Sequence, residues 1–298
     1  MLTLARTGQY LGASGLFGGA LLLARQRCGV PSPGERRLLT ASVLMLSLST
    51  VAALVLQAAA MAGDDPLPDL AMLGMVLTST SFGHAVAVRL AVTLAAIPLL
   101  LALPTPRRLR AMTALGASAM LTLAWGGHGV ADAGRAGLLH LGADIVHLLA
   151  AGLWIGALGV LVVMAVEPTS APGVTARRLE RALSGFSGAG TLAVALLILT
   201  GLVNGWFLVG PRHLAGLVTT LYGRLLLAKL ALFAAMLGLA ASHRWRLTPR
   251  LEAAAAGSSG ARAVVTEIRR SIALETAFAV LVLTLVGWLG TLAPPAGD

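Results

Sequence analysis

The sequence carries little charge for its length. Asp, Glu, Lys and Arg make up 11% of its 298 residues, against 57% hydrophobic residues and a mean hydropathy of +0.86. A water-soluble domain of that composition lacks the polar surface to cover its apolar interior, so the solvent is lipid. Alternating stretches of the kind that build a membrane barrel are missing too, because the apolar runs are far longer than a barrel strand. Lipid cannot satisfy backbone N–H and C=O groups, and helices are the remaining solution. There is one cysteine, Cys28, which excludes an internal disulfide framework and any multi-cysteine metal site. Beside Arg25 and Arg27 it reads as an incidental boundary residue. No P-loop, dinucleotide fingerprint, convincing repeat or soluble domain is found. The longest hydrophilic stretch, Pro249 to Thr266 with AAAAGSSGARA, reads as a Gly/Ala/Ser linker without chemistry. The opening run MLTLARTGQYLGASGLFGGALLLARQR has its basic residues mostly after the apolar part and no small-residue cleavage site. It is expected to be a retained helix at the start of the mature protein, not a removed signal peptide.

What the sequence does contain is a series of apolar windows of about twenty residues. They place spans at approximately 7–24, 38–62, 80–103, 109–127, 137–165, 181–206, 221–245 and 270–292. Asp64-Asp65-Pro66 is expected to break the chain after the second span, and Pro68 to Thr78 reads as a short surface helix. The net charge of +10 would suggest nucleic acid in a soluble protein. Here it is topological, and no nucleic-acid partner is expected. Arg25, Arg27, Arg36 and Arg37 follow the first span, Arg107, Arg108 and Arg110 the third, Arg177, Arg178 and Arg181 the fifth, and Arg244, Arg246, Arg250, Arg262, Arg269 and Arg270 the seventh. Alternate loops hold Asp64, Asp65, Asp69, Asp132, His128 and His213. The positive-inside rule makes the arginine loops cytoplasmic and both termini extracytoplasmic. The expected fold is all-α: one integral membrane domain over 1–298, a polytopic transmembrane bundle of about eight helices.

Polar side chains at membrane depth are costly and therefore mark candidate sites. The fifth span holds His140, Asp144 and His147 at i, i+4 and i+7, which an α-helix places on one face, with Trp154 continuing the stripe. Imidazole and carboxylate together suit Cu(II) or Zn(II), and a carboxylate can also orient a neighbouring imidazole. A proton relay or a satisfied interhelical hydrogen-bond network fits the same pattern. His84 and His128 lie toward the same membrane face as possible further ligands. Met61, Met72 and Met75 project to that side as possible soft ligands for Cu(I), or as apolar filler. Arg89, Asp144 and Lys229 sit at similar depths. They read either as a structural ion-pair cluster or as an electropositive outer funnel that tunes a ligand. Glu275 lies nearer the cytoplasmic face and reads either as part of an exit path or, the favoured expectation, as the partner of a basic loop residue such as Arg178 or Arg270. Gly156, with Gly152 and Gly159, reads as a close-packing position. Trp154 lines the site or packs in the core, and Asn204 is interfacial or hydrogen-bonded across helices. His243 falls on the opposite side beside Arg244.

The run DIVHLLAAGLWIGAL (144–158), then TGLVNG (200–205), then T-x-YGRLLLAKL (220–230) and the closing RRSIALE (269–275) resemble the copper resistance protein D family of bacterial inner-membrane proteins. The resemblance covers most of the chain and is densest from residue 140 onward. It implies an eight-helix protein of the bacterial inner membrane associated with copper uptake, working with the small periplasmic copper carrier, copper resistance protein C. Some relatives carry that carrier fused to the same chain; here it is expected as a separate partner. The family pattern falls on Asp144, His147, Trp154 and Gly156, and later on Asn204, Tyr222, Gly223, Lys229 and Glu275. The leading expectation is a copper permease, without enzymatic activity, that moves copper from periplasm to cytoplasm. The rivals are a haem b electron-transfer protein or metal reductase, in which two outer histidines clamp the iron, and a non-transporting copper sensor or assembly protein.

Overall fold

The structure, a computed structural model, describes residues 1–26, 30–62, 68–102, 104–126, 134–255 and 261–297. Cys28, Asp64, Asp65, His128 and Asp132 therefore lie outside the described residues. Among those described there is no strand. The chain runs α1 (Leu2–Ser14), a π-turn (Gly15–Gly19), α2 (Ala20–Arg25), α3 (Pro33–Ala62), α4 (Leu70–Ser79), α5 (Ser81–Leu101), α6 (Pro106–Leu123), α7 (Gly134–Val166), α8 (Pro172–Leu208), α9 (Gly216–Thr219), α10 (Leu221–Ser242), a second π-turn (His243–Leu247), α11 (Thr248–Ala255) and α12 (Ala261–Leu289). The protein is an all-α, polytopic helical bundle.

The helix starts follow from local chemistry. Asp69, Thr80, Thr105 and Thr220 each accept a hydrogen bond from the N–H three residues on, at the heads of α4, α5, α6 and α10. Ahead of α3, Ser32 and Glu35 form a reciprocal capping box: the Glu35 N–H donates to the Ser32 hydroxyl at 3.2 Å and the Ser32 N–H to the Glu35 carboxylate at 2.7 Å. The expected surface helix is α4, found one to two residues from its predicted bounds. Most of the expected linker is helical instead. Thr248–Ala255 forms α11 and α12 starts at Ala261, since a run of alanines prefers helix.

Six of the described helices are long and apolar enough to cross a membrane: Pro33–Met61, Ser81–Leu101, Gly134–Val166, Pro172–Leu208, Leu221–Ala253 and Ala261–Leu289. The remaining two expected spans correspond to the continuous helix Leu2–Arg25 and to α6. Both are less apolar: α6 carries Arg107, Arg108 and Arg110 at its start, and the packing of the first helix gives the reason for the other. The first helix lies inside the bundle against α3, α7 and α12, where small and polar residues meet protein instead of lipid. Within the most apolar window of α7, 56% of residues are buried, against 6% for the α10–α11 helix. The first helix and α7 are thus central, and α10 is peripheral.

The two ends of the bundle are tied differently. At the arginine-rich end, Arg178 bridges Glu35 at 2.9 Å and Glu167 at 3.3 Å, Glu167 accepts the Gly34 N–H at 3.0 Å, and Arg269 donates to the Ala165 carbonyl. Burial pushes the Glu167 carboxyl up, but hydrogen bonds from Ser32, the Gly34 N–H and Arg178 outweigh it and hold the group below the usual glutamate range. At the other end Arg6 donates to the Gly290 carbonyl, which brings the start of α1 and the end of α12 together.

Candidate functional site

The fifth predicted span, α7, presents its polar stripe toward α8 and α10. His140 is 2% exposed, and its ring stacks on Phe207 of α8 with centroids 4.6 Å apart and planes at 4°. Two turns deeper, Nδ1 of His147 lies 2.9 Å from the Thr200 hydroxyl of α8. That hydroxyl has a single proton, which it gives to the Leu196 carbonyl at 2.6 Å. Toward His147 it can therefore only accept, so the imidazole carries its proton on Nδ1 and leaves the Nε2 lone pair open. An orienting bond on one ring nitrogen with the other free is the arrangement found in metal-binding histidines. Gly201 follows Thr200, and the space its missing Cβ leaves lies 3.8 Å from the His147 ring.

Asp144, half-buried between the two histidines, lies within electrostatic reach of His140 and of Lys229 on α10, and Lys229 in turn of His147. Tyr222 is a further electrostatic neighbour of Asp144. Asp144 and Lys229 are thus electrostatic neighbours, without a direct ion pair between them. Arg89 does not join them. It faces Tyr10 and Arg6 on the first helix instead.

Several other expectations resolve differently. His84 is exposed, and its ring bonds the Thr78 carbonyl at 2.9 Å, across the joint between α4 and α5. Among the described residues, no three His, Cys, Asp or Glu side chains converge as a metal-holding group. Met61 and Met75 are exposed and Met72 is half-buried. The Oδ1 of Asn204 is buried without a hydrogen-bond partner among the described residues. Gly156 is a close-packing position: a Cβ there would overlap the Ser14 carbonyl and the Gly19 nitrogen of the first helix. His140 and His147 share one helix, two turns apart, and so cannot clamp opposite faces of one haem.

Glu275 pairs with neither Arg178 nor Arg270. It is 1% exposed and accepts the Trp154 indole N–H at 2.8 Å on one oxygen, while the other stands 3.2 Å from Nδ1 of His243 outside hydrogen-bond geometry. The far nitrogen of His243 lies 2.7 Å from the Ser271 hydroxyl. His243, set beside Arg244 on sequence grounds, is thus buried in a polar network with Glu275, Ser271 and Trp154. The second π-turn, which starts at His243, widens the helix there. Trp154 also packs edge-on against Phe233 at 6.0 Å. The only sequence signal for this network was the pair of isolated polar residues in apolar helices, and the register shift of the π-turn hid their convergence.

Two family models match the chain. Copper resistance protein D covers residues 180–289, and the copper resistance protein D-like N-terminal domain covers residues 1–138. The sequence is 42% identical over 275 residues to "Copper resistance protein D" of Pseudomonas syringae pv. tomato, spanning 91% of this chain and 87% of that one. It is 29% identical over 205 residues to "Inner membrane protein YebZ" of Escherichia coli (strain K12), spanning 68% and 66%. It is 33% identical over 125 residues to "Copper transport protein CutJ" of Bacillus subtilis (strain 168), spanning 42% of this chain and 22% of that one. No solved structure matches. With 42% identity across nearly the whole length of both chains, this protein belongs to the copper resistance protein D family.

Proposed function

We propose that the protein handles copper in the bacterial inner membrane, as a permease that takes the ion from the periplasmic side and passes it toward the cytoplasm. The observation that carries this reading is the open Nε2 of His147, fixed by Thr200 and flanked by Asp144 and His140. The names of the relatives supply copper as the cargo.

An incomplete ligand set suits a cargo. A site that moves an ion must bind it well enough to admit it and weakly enough to release it. The imidazole is borderline in softness and serves copper in either oxidation state, whereas a closed cage of thiolates would retain it. Asp144 offsets part of the ion's charge, while Lys229 keeps the empty site from being strongly negative and so limits competition from abundant divalent cations. Trp154, Glu275 and His243 continue the polar line toward the arginine-rich end. The reading assigns no covalent chemistry to the chain. A separate periplasmic carrier resembling copper resistance protein C delivers the ion to the outer face.

Replacing His147 by Ala, and separately His140 by Ala, is expected to remove stoichiometric copper binding by the purified protein and copper-dependent accumulation by cells. Replacement of Thr200 by Val is expected to weaken binding without removing it, since it releases the ring orientation and leaves the ligand in place; outer-sphere changes of this kind cost about 10–100-fold in affinity. Wild-type binding and accumulation in both histidine variants would sink the assignment.

A further inference from the structure

Between the first helix, α3, α5 and the end of α6 lies a cavity of about 20 Å³, lined among others by Arg6, Gln9, Tyr10, Gln57, Phe82 and Arg89. Arg89 is 1% exposed. Its Nε donates to the Ala85 carbonyl of its own helix at 3.2 Å, and its guanidinium stands 6.0 Å from the Phe82 ring centre. Among the described residues its terminal nitrogens have no hydrogen-bond acceptor and no carboxylate within ion-pair distance. Its electrostatic neighbours are Tyr10 and a second guanidinium, Arg6. Arg6 gives a bond to the Gly290 carbonyl and, among the described residues, has no acidic partner either. Two like charges in a low-dielectric bundle, one of them fully buried, repel each other, and among the described residues they have no counter-charge.

The rest of the wall is chosen in the same sense. Guanidinium groups donate only, a tyrosine hydroxyl and two side-chain amides can donate, and none of the described lining residues carries a negative charge. Gln9 spends little of its capacity elsewhere, with one long contact of 3.5 Å to the Ser49 carbonyl. The size selects the guest. About one water needs roughly 10–15 Å³ of such space, so the cavity admits a monatomic anion and not a tetrahedral oxyanion or a lipid phosphate. We propose that this cavity is a chloride site, in which one chloride ion neutralises Arg89 and holds α5 to the first helix.

Tyr10 lies within electrostatic reach of Arg6 and Arg89 on one side and of Asp144 on the other. If the copper reading of α7 holds, the bound chloride also shields the incoming cation from the two arginines. The anion site itself does not depend on that reading.

The test uses the purified full-length chain in a non-ionic detergent, with sodium chloride compared against sodium gluconate at matched ionic strength. Chloride is expected to raise the melting temperature in a saturable manner and to bind at one ion per chain, read by titration and by chloride NMR line broadening. Arg89→Gln is expected to lose both responses. Because that variant can fail to fold, Gln57→Glu provides a second arm. Its carboxylate replaces the anion, so the protein is expected to melt in gluconate as the wild type does in chloride and to bind no chloride. A wild type indifferent to chloride overturns the proposal, as does a chloride response retained in both variants or a stronger response to sulfate than to chloride. Copper binding measured on the same samples separates the two readings, since loss of copper binding in the His147 variant leaves the chloride result standing and the reverse also holds.

Discussion

At the scale of single residues, Glu275 shows how a buried carboxylate is kept in a membrane protein. It has a donor on one oxygen, the Trp154 indole at 2.8 Å, and an imidazole at 3.2 Å from the other. Glutamine at this position can still accept from Trp154 and offer its amide to His243. Leucine can do neither and leaves both buried groups facing carbon. Glu275→Leu is therefore expected to cost about 1–3 kcal/mol for each stranded group, and Glu275→Gln less than about 1 kcal/mol. Unfolding in detergent micelles checks the pair; equal damage from both would mean that the ionic charge is needed. The polar network of Glu275 also marks the boundary of what single residues reveal. Its depth and scarcity were legible, because charged residues are excluded from lipid unless a partner meets them. Its partner was not, because Arg178 is claimed at the membrane edge by Glu35 and Glu167. The same holds for Asp144: its nearness to Lys229 followed from matched depth, whereas Arg89 shares the depth but faces the other side of the first helix. Glu167 gives a prediction of sign. Its carboxyl is held below the usual range by hydrogen bonds from Ser32, Gly34 and Arg178, against burial. A depressed folded value adds stability that is complete above the unfolded value and is lost as pH falls through the folded one. Melting temperature is thus expected to fall on acidification below the ordinary glutamate range, and less steeply in Glu167→Gln. Parallel curves for the two proteins would contradict this.

At the scale of elements, the first helix is held by backbone proximity. A Cβ on Gly156 would overlap Ser14 and Gly19, one on Gly116 would overlap Phe17, and one on Gly12 would meet the backbone of α3 at 2.6–2.7 Å. Lipid offers no hydrophobic drive between helices, so close contact of small residues supplies the association. Gly156 was legible as a packing position from its small neighbours on α7. The π-turn Gly15–Gly19 was not, because one extra residue in a turn leaves no periodic mark in so short a glycine-rich segment. Glycines with open surroundings behave oppositely. Nothing lies within 4 Å of a Cβ built on Gly188 of α8. Gly188→Ala is expected to stabilise by up to about 1 kcal/mol through helix propensity, whereas Gly156→Ala is expected to cost about 1–3 kcal/mol or to abolish folded expression. Thermal melts of the two single variants decide it, and a neutral Gly156→Ala would mean that the first helix and α7 can move apart freely.

At the scale of the whole molecule, the permease reading requires a topology that the arginine clusters and the two chain ends bear on. Arg6 meets Gly290, so the chain starts and finishes at one end of the bundle, and an even number of crossings follows if both terminal helices span. Six of the described helices are long and apolar enough by themselves. The helix Leu2–Arg25 extends about 36 Å and α6, of 18 residues, about 27 Å, against a hydrocarbon core of about 30 Å. The apolar windows made these two segments legible in the sequence as candidate spans; the lower hydropathy of the first helix reflects contact with protein in place of lipid, and that of α6 reflects Arg107, Arg108 and Arg110 at its start. Eight crossings with the arginine loops inside predict a labelling pattern. In a Cys28→Ser background, single cysteines replace Ser170 between α7 and α8, Ala215 beyond the far end of α8, Arg107 at the head of α6 and Trp125 just past its end. All four positions are exposed. A membrane-impermeant maleimide applied to intact cells, with the outer membrane opened, is expected to label the cysteines at 215 and 125 and to spare those at 170 and 107 until the inner membrane is permeabilised. Labelling of 107 and 125 from the same side would remove α6 from the spans, and the reverse pattern at 170 and 215 would invert the molecule. With that reverse pattern His140 and His147 would no longer face a periplasmic supply of copper, so this one experiment bears on the orientation of the site as directly as on the fold.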